Sequence, residues 1–555
     1  MKVVIVGGVA GGASCAARLR RLDEKAEILL IERGPYISYA NCGLPYHVGG
    51  IIENEASLLV ANSALFKSRF AIDVRSQCEV TEILPREKLL KLKNRATGEI
   101  ISETYDKLVL SPGAKSIRPP FEGIDLPGIF EVRTVPDARN IRAWLKNVKV
   151  GSSKPKVKAI VVGGGFIGLE MAENLLHLGH EVTLIEKGDQ VLPMIDWETA
   201  HLVMEHLIQN HIHLMVNTEV VGFKKEASGT LKVEIKNGSA LSADIVILAL
   251  GVRPDIELAR CAGLEIGQLG GIRVNEQMRT SDPDIFAVGD VIEVKDFMTG
   301  HWELVALAGP ANRQGRIAAD VIAGRPSKYR GTQGTAIVGL FGSVVAWTGM
   351  TERKLLQLKD TDYEKIYLYP NSHAGYYPGA KMIKMKVIFR KSNGLLLGAQ
   401  AIGEDGVDKR ISTLAAMIQL RATIYDLEEA ELCYAPQFGS AKDPINFAGM
   451  IAADVLRGDM PLSHWEKATS EFLLDVREPA ELEQENIPKA YHIPLGQLRT
   501  RLKELPKEKE IHVLCRSGQR AYYATRVLLQ HGFKVKNISG GMLSFLDKDT
   551  NAGLS

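Results

Sequence analysis

Two segments of the chain repeat one order of apolar and polar positions. Near the N-terminus, "KVVIVGG" is an apolar run that ends in glycine, and "GGASCAARLRRL" and a second apolar run, "AEILLIERG", follow it. The later stretch "KAIVVGGGFIGLEMAENLLHLGHEVTLIEKG" has the same order. Short apolar runs bounded by glycines are typical of buried parallel strands, and the segments between them are typical of helices. The pattern therefore predicts two strand–turn–helix–strand units.

The turn of the first unit fits a dinucleotide. Its glycines allow a tight turn and let a pyrophosphate approach the helix N-terminus; they are Gly7, Gly8, Gly11 and Gly12. Glu32 ends the second strand 20 residues after Gly12, where a carboxylate can accept a hydrogen bond from a ribose hydroxyl. Because Val9 stands where the usual pattern has a glycine, a purely structural turn stays open as an alternative.

The turn of the second unit matches the dinucleotide pattern more closely, with Gly163, Gly165 and Gly168. Glu186 follows 18 residues after Gly168, at the end of the next strand. A carboxylate there would bind a free ribose 2′-hydroxyl and repel a 2′-phosphate, which favours NADH over NADPH. Lys187, the next residue, keeps NADPH open as the less favoured cofactor.

Composition narrows the class of protein. At about 150 residues per domain, the 555 residues predict three or four domains, and 45% hydrophobic with 24% charged residues is typical of an α/β protein. A formal net charge of +2 gives no field that would attract nucleic acid or an anionic membrane. The six cysteines lack metal-ligand spacing, which indicates no metal site and a reducing compartment. We therefore expect a cytoplasmic protein that binds neither membrane nor nucleic acid.

Three later stretches, "LVLSPGAKSIRPP", "IVILALGVRPD" and "TSDPDIFAVGDVIEV", extend the two units. Together they resemble the two-dinucleotide-binding flavoprotein reductases, such as glutathione reductase. The resemblance implies FAD in the first unit, NAD(P)H in the second, and a bond from Asp290, after Gly289, to the flavin's ribityl chain. Six further cofactor-binding residues are expected on the same basis: Ala10, Arg33, Gly113, Phe166, Ile167 and Gly251.

The segment "SYANCGLPYHVGG" contains Cys42, and the second cysteine of a redox disulfide would stand five positions on, where the chain has His47. A lone cysteine beside a flavin can act as a sulfenic acid or as a mixed disulfide with a small thiol. In the peroxidase and oxidase branch of this family a histidine occupies the position of Ala10, so its absence argues against peroxide chemistry. "GGVAGGAS" and "NCGLPY" instead resemble the coenzyme A-disulfide reductases.

That resemblance implies a coenzyme A site. Arg18 and Arg21 lie three residues apart on the first helix and could bind phosphates, although a solvated helix face would look the same. Ser38, Asn41 and Lys67 are assigned to the same substrate. Two tyrosines of a second subunit are expected at the thiol site, Tyr376 in "NSHAGYYPGAKM" and Tyr434 in "CYAPQFGSAKDPIN". Phe438 stands where relatives often have a further tyrosine.

A new α/β pattern begins after the segment "VLRGDMPLSHWEKATSE", which is interpreted as a linker. In "CRSGQR" a strand ends at Cys515 and a helix begins near Gln519, so backbone N–H groups can converge on a thiolate or persulfide. The loop, with Arg520, and "LLDVRE", with Asp475 and Arg477, resemble a single-domain rhodanese. "ENIPKA" departs from that family's usual pattern without affecting a catalytic position.

The expected architecture is α/β, with two nested glutathione reductase-like dinucleotide-binding domains, an α+β dimerisation domain and a C-terminal rhodanese-like domain. The expected boundaries are 1–117 and 248–327 for FAD, 118–247 for NAD, 328–455 for dimerisation, 456–467 for the linker and 468–555 for the rhodanese.

The expected activity is the NADH-dependent reduction of coenzyme A disulfide, persulfide or polysulfide by a homodimer. Cys42 and Cys515 would be catalytic, and sulfane-sulfur donors would serve the rhodanese. Three alternatives stay open: an NADH peroxidase or oxidase with a Cys42 sulfenic acid, a thiosulfate sulfurtransferase with a regulatory flavoprotein half, and a C-terminal module that only senses or docks.

Overall fold

The computed structural model describes residues 1–151, 156–227, 229–468 and 471–545. The chain forms two compact units. The first contains Met1–Val191 and Ile208–Thr332, and the second contains Leu192–Leu207 and the chain from Gln333 onward.

The first unit contains two parallel five-stranded sheets, one for each glycine-rich turn. In spatial order the first sheet has the strands Ile285–Ala287, Lys107–Leu110, Lys2–Val6, Glu27–Ile31 and Asp73–Arg75. The second has His213–Met215, Glu181–Ile185, Lys158–Val162, Ile245–Leu248 and Ile129–Phe130. Both glycine-rich turns follow a central strand whose apolar side chains are buried, because helices cover parallel sheets on both faces.

Smaller sheets and helices complete the first unit. The smaller sheets are Cys78–Leu84 with Leu89–Asn94 and Ile100–Thr104; Val220–Lys225 with Leu231–Ile235 and Leu241–Ala243; Ala114–Ser116 with Val252–Pro254; and Ile272–Arg273 with Ile292–Lys295 and Trp302–Glu303. The α-helices are Ala10–Arg20, Leu44–Val48, Ser63–Phe70, Val135–Gly151, Phe166–His177, Glu257–Cys261 and Ala308–Ile322. Short 3₁₀ helices are Asn41–Gly43, Glu55–Leu58 and Pro85–Glu87. The predicted boundary at 247/248 cuts the last residue from the strand Ile245–Leu248.

The second unit begins with an antiparallel five-stranded sheet over the predicted dimerisation domain. Its strands, in spatial order, are Ala336–Leu340, Ser343–Gly349, Leu396–Gly403, Lys384–Arg390 and Tyr363–Leu368. The helices of this part are Trp197–Gln209, Glu352–Gln357, Val407–Gln419, Ile424–Glu428 and Pro444–Leu456.

One segment of the predicted NAD domain lies in the second unit. Residues 192–207 were expected in the NAD domain, and they cluster with the second unit. Buried Asp196 explains this placement, because its carboxylate accepts hydrogen bonds from Lys386 Nζ (2.8 Å) and from the N–H groups of Glu352 and Arg353 (3.1 and 3.0 Å). These partners lie far away in the sequence, so no local pattern could have revealed them.

The C-terminal module of the second unit is a parallel five-stranded sheet. Its strands, in spatial order, are Leu462–Ser463, Val535–Ile538, Ile511–Leu514, Phe472–Asp475 and Tyr491–His492. Its α-helices are Trp465–Ala468, Pro479–Gln484 and Gln519–Gln530, and its 3₁₀ helices are Leu495–Thr500, Leu502–Glu504 and Gly541–Ser544. Residues 469–470 and 546–555 of the predicted rhodanese domain lie outside the described residues.

The predicted linker 456–467 contains a strand of the C-terminal sheet. Leu462–Ser463 is an edge strand of the C-terminal sheet, and flanking backbone bonds extend the pairing: the Asn537 N–H donates to Pro461 O (2.8 Å), and the Ser539 N–H donates to Ser463 O (2.9 Å). A strand of two residues is too short to show a hydrophobic period, which is why the sequence pattern missed it.

Candidate active site

The first glycine-rich turn is shaped as a cradle between the strand Lys2–Val6 and the helix Ala10–Arg20. Gly7 has a φ of 98°, and a Cβ there would lie 2.0 Å from Ser111 O, while a Cβ on Gly12 would lie 1.9 Å from Gly7 O. Only glycine fits either position. The N-cap residue Val9 has no polar side chain, so the first-turn N–H groups can receive an anion.

Glu32 fixes the base of this turn. Its carboxylate accepts hydrogen bonds from the N–H groups of Gly8 (2.8 Å) and Gly34 (2.7 Å). Each oxygen keeps a second lone pair that can accept from a ribose hydroxyl. The neighbouring Arg33 pairs with Asp255, with 3.0 Å between Nη1 and Oδ2.

The second turn repeats this geometry. Gly163 has a φ of 112°, and its Cβ would lie 2.2 Å from Ala249 O, whereas a Cβ on Gly168 would lie 1.9 Å from Gly163 O. Gly165 has open space where a Cβ would be, so the pyrophosphate of a dinucleotide can approach it closely. The residues at both turns fit a pyrophosphate, and the expected Gly11, Ala10, Phe166 and Ile167 lie at the start of the two following helices.

Glu186 holds the second turn as Glu32 holds the first. It accepts hydrogen bonds from the N–H groups of Gly164 and Gly188, both at 2.7 Å. The neighbouring Lys187 forms an ion pair with Glu219, at 2.6 Å, and Glu219 also pairs with Lys236 at 3.0 Å. Lys187, the cation next to Glu186 in the sequence, is thus paired with the carboxylate of Glu219.

Asp290 lies in the first unit, next to Gly289, as expected for a flavin-binding carboxylate. Burial raises the pKa of its carboxyl, and Arg133, whose Nη2 lies 3.7 Å from Oδ2, opposes this shift. Gly289, with a φ of 84°, donates its N–H to Gln314 Oε1 (2.8 Å). Two other expected glycines, Gly113 and Gly251, have φ values of 75° and 90°. A largely buried carboxyl beside these turns fits the hydroxyl groups of a ribityl chain.

Cys42 lies in the 3₁₀ helix Asn41–Gly43 and is exposed. Each of the six cysteines is a free thiol, and all of them are among the described residues. His47, which replaces the second cysteine, is buried in the helix Leu44–Val48, with its Nδ1 2.7 Å from Ile52 O. Arg142 Nη1 donates to His47 O at 2.9 Å. His47 therefore has a structural role, and the thiol must find its redox partner elsewhere.

The surroundings of Cys42 disfavour its thiolate in the protein alone. Desolvation raises the pKa of the thiol, and the carboxylates of Glu170 and Asp290 raise it further. Burial also raises the pKa of Glu170 to about 7, although a hydrogen bond from the Tyr46 hydroxyl (3.2 Å) opposes this shift. Cys42 is thus placed beside a carboxyl that changes its charge near neutral pH.

Sequence reasoning did not find Tyr46 and Glu170. Glu170 lies two residues after Gly168, as a lone carboxylate in the apolar stretch "FIGLEMA", and that departure from the apolar pattern could have marked it. Tyr46 lies in "GLPYH", four residues after Cys42, and nothing in the local pattern separates it from a core tyrosine.

The residues expected to bind coenzyme A are distributed over several elements of the first unit. Arg18 is already engaged, because its Nε and Nη2 both lie 2.8 Å from Asp320 Oδ1. Arg21 and Lys67 are exposed. Ser38 has a φ of 45° and donates its N–H to Gly8 O (2.7 Å), which joins the Cys42 segment to the first glycine-rich turn.

Asn41 directly precedes Cys42, and its Nδ2 lies 3.4 Å from Arg133 O. Arg133 thus contacts both the Cys42 segment and Asp290. The structure therefore brings Ser38 to the first glycine-rich turn and Asn41 to Arg133, whereas Arg18 is neutralised by a protein carboxylate.

In the second unit, the two predicted tyrosines meet. The hydroxyls of Tyr376 and Tyr434 are 2.7 Å apart, although the residues are 58 positions apart in the chain. The side chains are 75% and 48% exposed, and the nearby Phe438 is 64% exposed. The hydrogen bond to Tyr434 raises the pKa of Tyr376. The pair thus presents two hydroxyls at the surface of its own unit.

Cys515 directly follows the central strand Ile511–Leu514 of the C-terminal module and begins a loop that extends to Gly518, before the helix Gln519–Gln530. Its Sγ accepts a hydrogen bond from the Gly518 N–H at 3.2 Å, and Gly518 has a φ of 93°. Arg520 forms a two-pronged ion pair with Glu481, at 2.6 and 2.7 Å. A buried sulfur that accepts a backbone N–H is suited to carry negative charge.

The predicted signature "LLDVRE" at the start of this module contains an ion pair. Arg477 bonds to both carboxylate oxygens of Asp475, at 3.0 Å from Nε and 2.7 Å from Nη2, and both side chains are buried. Glu481, the partner of Arg520, was not singled out in the sequence. Glu481 belongs to the capping box "EPAE" at the start of the helix Pro479–Gln484, and this motif would have indicated only where a helix begins.

Three segments of the chain match known protein families. Residues 1–315 match "Pyridine nucleotide-disulphide oxidoreductase", residues 335–443 match "Pyridine nucleotide-disulphide oxidoreductase, dimerisation domain", and residues 462–548 match "Rhodanese-like domain". These matches confirm the predicted fold class. Among the described residues, no helix has the length and apolar character needed to cross a membrane.

Individual proteins give the same result. Coenzyme A disulfide reductase of Staphylococcus haemolyticus is 34% identical over 455 residues, which are 82% of this chain and 100% of that protein. The crystal structure of reduced CoADR-RHD of Bacillus anthracis matches with a TM-score of 0.94 and 46% identity, over 98% of this chain and 97% of that one. A NAD-dependent persulfide reductase from A. fulgidus matches with a TM-score of 0.90 and 36% identity, over 98% and 100%.

These similarities confirm the resemblance inferred from "NCGLPY" and "CRSGQR". With its two glycine-rich turns, the lone cysteine of the "NCGLPY" segment and the Cys515 loop, the chain belongs to the pyridine nucleotide-disulphide oxidoreductase family and carries a rhodanese-like domain after the dimerisation domain.

Proposed function

We propose that this enzyme uses NADH to reduce coenzyme A disulfide or coenzyme A persulfide through Cys42, and that its rhodanese-like domain handles sulfane sulfur. The observation that carries the proposal is the free, exposed thiol of Cys42 with buried His47 in place of a second cysteine. The substrate must then supply the second sulfur. The names of the relatives from S. haemolyticus and A. fulgidus support coenzyme A disulfide and persulfide as substrates.

FAD would bind at the first glycine-rich turn with Glu32 and Asp290, and NADH at the second with Glu186. When bound, FAD supplies the thiol site with the two electrons taken from NADH. A preference for NADH is supported by Glu186, which would repel a 2′-phosphate, and by the Lys187–Glu219 ion pair, which engages the cation next to Glu186 in the sequence.

The thiol chemistry follows from a single cysteine. The Cys42 thiolate attacks one sulfur of coenzyme A disulfide, so that a Cys42–coenzyme A disulfide forms and one coenzyme A thiolate leaves. Two electrons and a proton then cleave the mixed disulfide and restore the Cys42 thiolate with a second coenzyme A thiol. The sum is NADH, a proton and the disulfide in, and NAD⁺ and two thiols out. With a persulfide, hydrosulfide leaves in the first step.

The hydroxyl pair Tyr376–Tyr434 would protonate the leaving sulfur from the second subunit of a homodimer. The dimerisation-domain match and the exposure of both rings support this role. Arg21 and Lys67 are exposed and would bind substrate phosphates, whereas Arg18 would have to exchange Asp320 for the ligand.

Cys515 would accept sulfur as a persulfide. With thiosulfate as donor, the Cys515 thiolate forms a bond to the sulfane sulfur and sulfite leaves; a thiol or thiolate acceptor then takes the sulfur. The Gly518 N–H would stabilise the anion. The cytoplasmic location expected from the cysteine pattern stays a prediction.

The test is anaerobic NADH oxidation by the FAD-loaded enzyme with coenzyme A disulfide or coenzyme A persulfide, measured as kcat/KM. We expect Cys42→Ser to abolish both reactions and Cys261→Ser, a change at another exposed thiol of the same unit, to leave them intact. A preference of about tenfold for the persulfide, equal to about 1.4 kcal/mol, would make sulfide release the main activity. A Cys42→Ser enzyme at the wild-type rate would contradict the proposal.

Two further measurements test two of the three alternatives. Peroxide-dependent NADH oxidation that requires Cys42 would instead support a peroxidase. Sulfur transfer from thiosulfate to cyanide without any NADH-dependent reaction would support a sulfurtransferase with a regulatory flavoprotein half.

A further inference from the structure

The segment Ser539–Ser544, called here the bracing turn, lies directly against the Cys515 loop. The Met542 N–H donates to Cys515 O (2.9 Å), and the Leu543 N–H donates to Arg516 O (3.0 Å). A Cβ on Gly541 would lie 2.2 Å from Cys515 O, so the two backbones touch. The carbonyl groups of the loop therefore depend on the position of the bracing turn.

The other side of the bracing turn contacts the dimerisation domain. The Tyr367 N–H donates to Ser539 Oγ at 3.1 Å, and a Cβ on Gly540 would lie 2.8 Å from Tyr367 Cβ. Tyr367 belongs to Tyr363–Leu368, an edge strand of the antiparallel sheet. An edge strand leaves backbone N–H groups without ladder partners, and Ser539 supplies the acceptor for this one.

The segment that joins the two domains holds the bracing turn as well. Trp465 Nε1 donates to Gly541 O at 2.9 Å, and the Trp465 ring contacts Phe545 with 4.5 Å between ring centroids. The Ser544 hydroxyl donates to Ser539 O at 2.6 Å and closes the turn on itself. Side chains and backbone groups thus fix both ends of the bracing turn.

A second anchor fixes the helix Gln519–Gln530, which follows the Cys515 loop. Arg526 Nη1 donates to Asp459 O (2.8 Å) and pairs with Asp459 Oδ1 (2.7 Å), just after the last helix of the dimerisation domain. The Asn537 amide donates to Gly518 O at 3.2 Å and contacts Met460 Sδ at 3.0 Å. The dimerisation domain and the connecting segment therefore hold the loop from two directions.

We propose that the dimerisation domain is part of the rhodanese active site: through Ser539, the edge strand at Tyr367 positions the Cys515 loop for sulfur transfer. Tyr367, Ser539 and Trp465 are positioning residues, because they act through the bracing turn. If that turn shifts, the carbonyl groups of Cys515 and Arg516 lose their donors. The Gly518 N–H then no longer points at the sulfur. This inference rests on the proposed sulfurtransferase role of Cys515.

The test uses the full-length, FAD-loaded chain with thiosulfate as sulfur donor and cyanide as acceptor. Ser539→Ala removes the acceptor of the Tyr367 N–H, and Trp465→Phe removes the donor to Gly541 O while it keeps an aromatic ring. Since each change removes one hydrogen bond, we expect kcat for thiocyanate formation to fall about fivefold in each variant and further in the double variant. Ser539→Thr, which keeps the hydroxyl, should retain most of the activity.

A second readout separates positioning from a general loss of stability. The rate of Cys515 alkylation by iodoacetamide, followed by peptide mass spectrometry, is measured against pH. We expect its midpoint to move to higher pH in Ser539→Ala and to stay unchanged in Thr500→Ala, a matched hydroxyl deletion elsewhere in the module. NADH-dependent reduction of coenzyme A disulfide should stay at the wild-type rate in all these variants.

Unchanged kcat and an unchanged pH midpoint in both Ser539→Ala and the double variant would overturn the inference while the rhodanese role stands. A lower melting temperature with unchanged kcat and midpoint would also overturn it, because the contacts would then serve stability alone. A wild-type enzyme that forms no Cys515 persulfide from thiosulfate would instead overturn the proposed sulfurtransferase role.

Discussion

Tyr46 donates its hydroxyl hydrogen to Glu170 Oε1 at 3.2 Å. This bond joins the helix that follows Cys42 to the helix that follows the second glycine-rich turn. One carboxyl group therefore contacts the thiol segment and lies two residues from the turn that fits NADH. The charge of Glu170 influences the thiol, and its titration gives the first two predictions.

We predict that Glu170→Gln lowers the pKa of the Cys42 thiol. Glu170 is one of two carboxylates that raise this pKa after desolvation, so its removal makes the thiolate easier to form. The measurement is the rate of Cys42 alkylation against pH in the enzyme free of NADH. Glu226→Gln, a carboxylate change in an exposed turn of the same unit, is the control. A midpoint that moves to higher pH would refute this electrostatic account.

Glu170 should also make stability depend on pH. Burial raises its pKa to about 7 from an ordinary value of 4.5, so the folded chain binds this proton more tightly than the unfolded chain. The contribution is complete below the ordinary value and is lost as the pH rises towards 7 and above. We expect the free energy of unfolding of the wild type, measured with urea, to decrease from pH 5 to pH 8 relative to that of Glu170→Gln. Parallel curves for the two proteins would argue against a buried carboxyl that titrates in this range.

Cofactor choice gives a third prediction. In Glu186→Gln, the negative charge that repels a 2′-phosphate is lost. We expect kcat/KM for NADPH to rise about tenfold relative to NADH, because one charge repulsion is removed. Lys187→Ala should change the ratio little, because Lys187 is already paired with Glu219 at 2.6 Å. Steady-state kinetics with both cofactors measure the ratio. A strong effect of Lys187→Ala with none from Glu186→Gln would reverse the assignment.

The buried cluster around Lys386 gives a fourth prediction. Lys386, 2% exposed, pairs with Asp196 (2.8 Å), Glu352 (2.9 Å) and Glu198. Lys386→Met would leave three carboxylates without their shared cation, at a cost of about 3–5 kcal/mol in the free energy of unfolding. Lys391→Met, at an exposed position after the same strand, should cost little. Urea unfolding followed by fluorescence measures both, and equal stabilities would show that the cluster tolerates the loss.

The Arg520–Glu481 pair gives a fifth prediction. Hydrogen bonds from Arg520 lower the pKa of Glu481 to about 2 from an ordinary value of 4.5. This depressed pKa contributes stability above the ordinary value that is lost as the pH falls towards 2. Arg520→Ala should therefore be less stable than the wild type at pH 7, and the difference should shrink below pH 4. A difference that stays constant over this range would exclude the ion pair as its cause.

Much of the candidate site could be predicted from local patterns. The two glycine-rich turns could be predicted because their positions require glycine. Gly7 and Gly163 have φ values near 100°, and Gly12 and Gly168 lie against backbone atoms, so no other residue fits. The Cys515 loop was predicted for a similar reason, since Gly518 must adopt a positive φ for its N–H to point at the sulfur. In each case the chemistry lies within a few consecutive residues.

Other parts could not be predicted, because their partners are far apart in the chain. The sequence left Arg18 open as a phosphate ligand or as part of a solvated helix face, and only the fold brought Asp320 to it. Leu462–Ser463 was interpreted as linker because two residues show no period, and only pairing with the strand Val535–Ile538 makes them part of a sheet.

The sequence by itself determined the two dinucleotide folds, the lone Cys42 and the Cys515 loop, because backbone geometry and residue type fix these features over short stretches. Only the tertiary structure decided which charges meet. It placed Glu170 beside the thiol, moved residues 192–207 to the second unit through Asp196 and Lys386, and set the bracing turn between Tyr367 and Cys515. The physical reason is that desolvation and ion pairing depend on burial and distance, which exist only once the chain has folded.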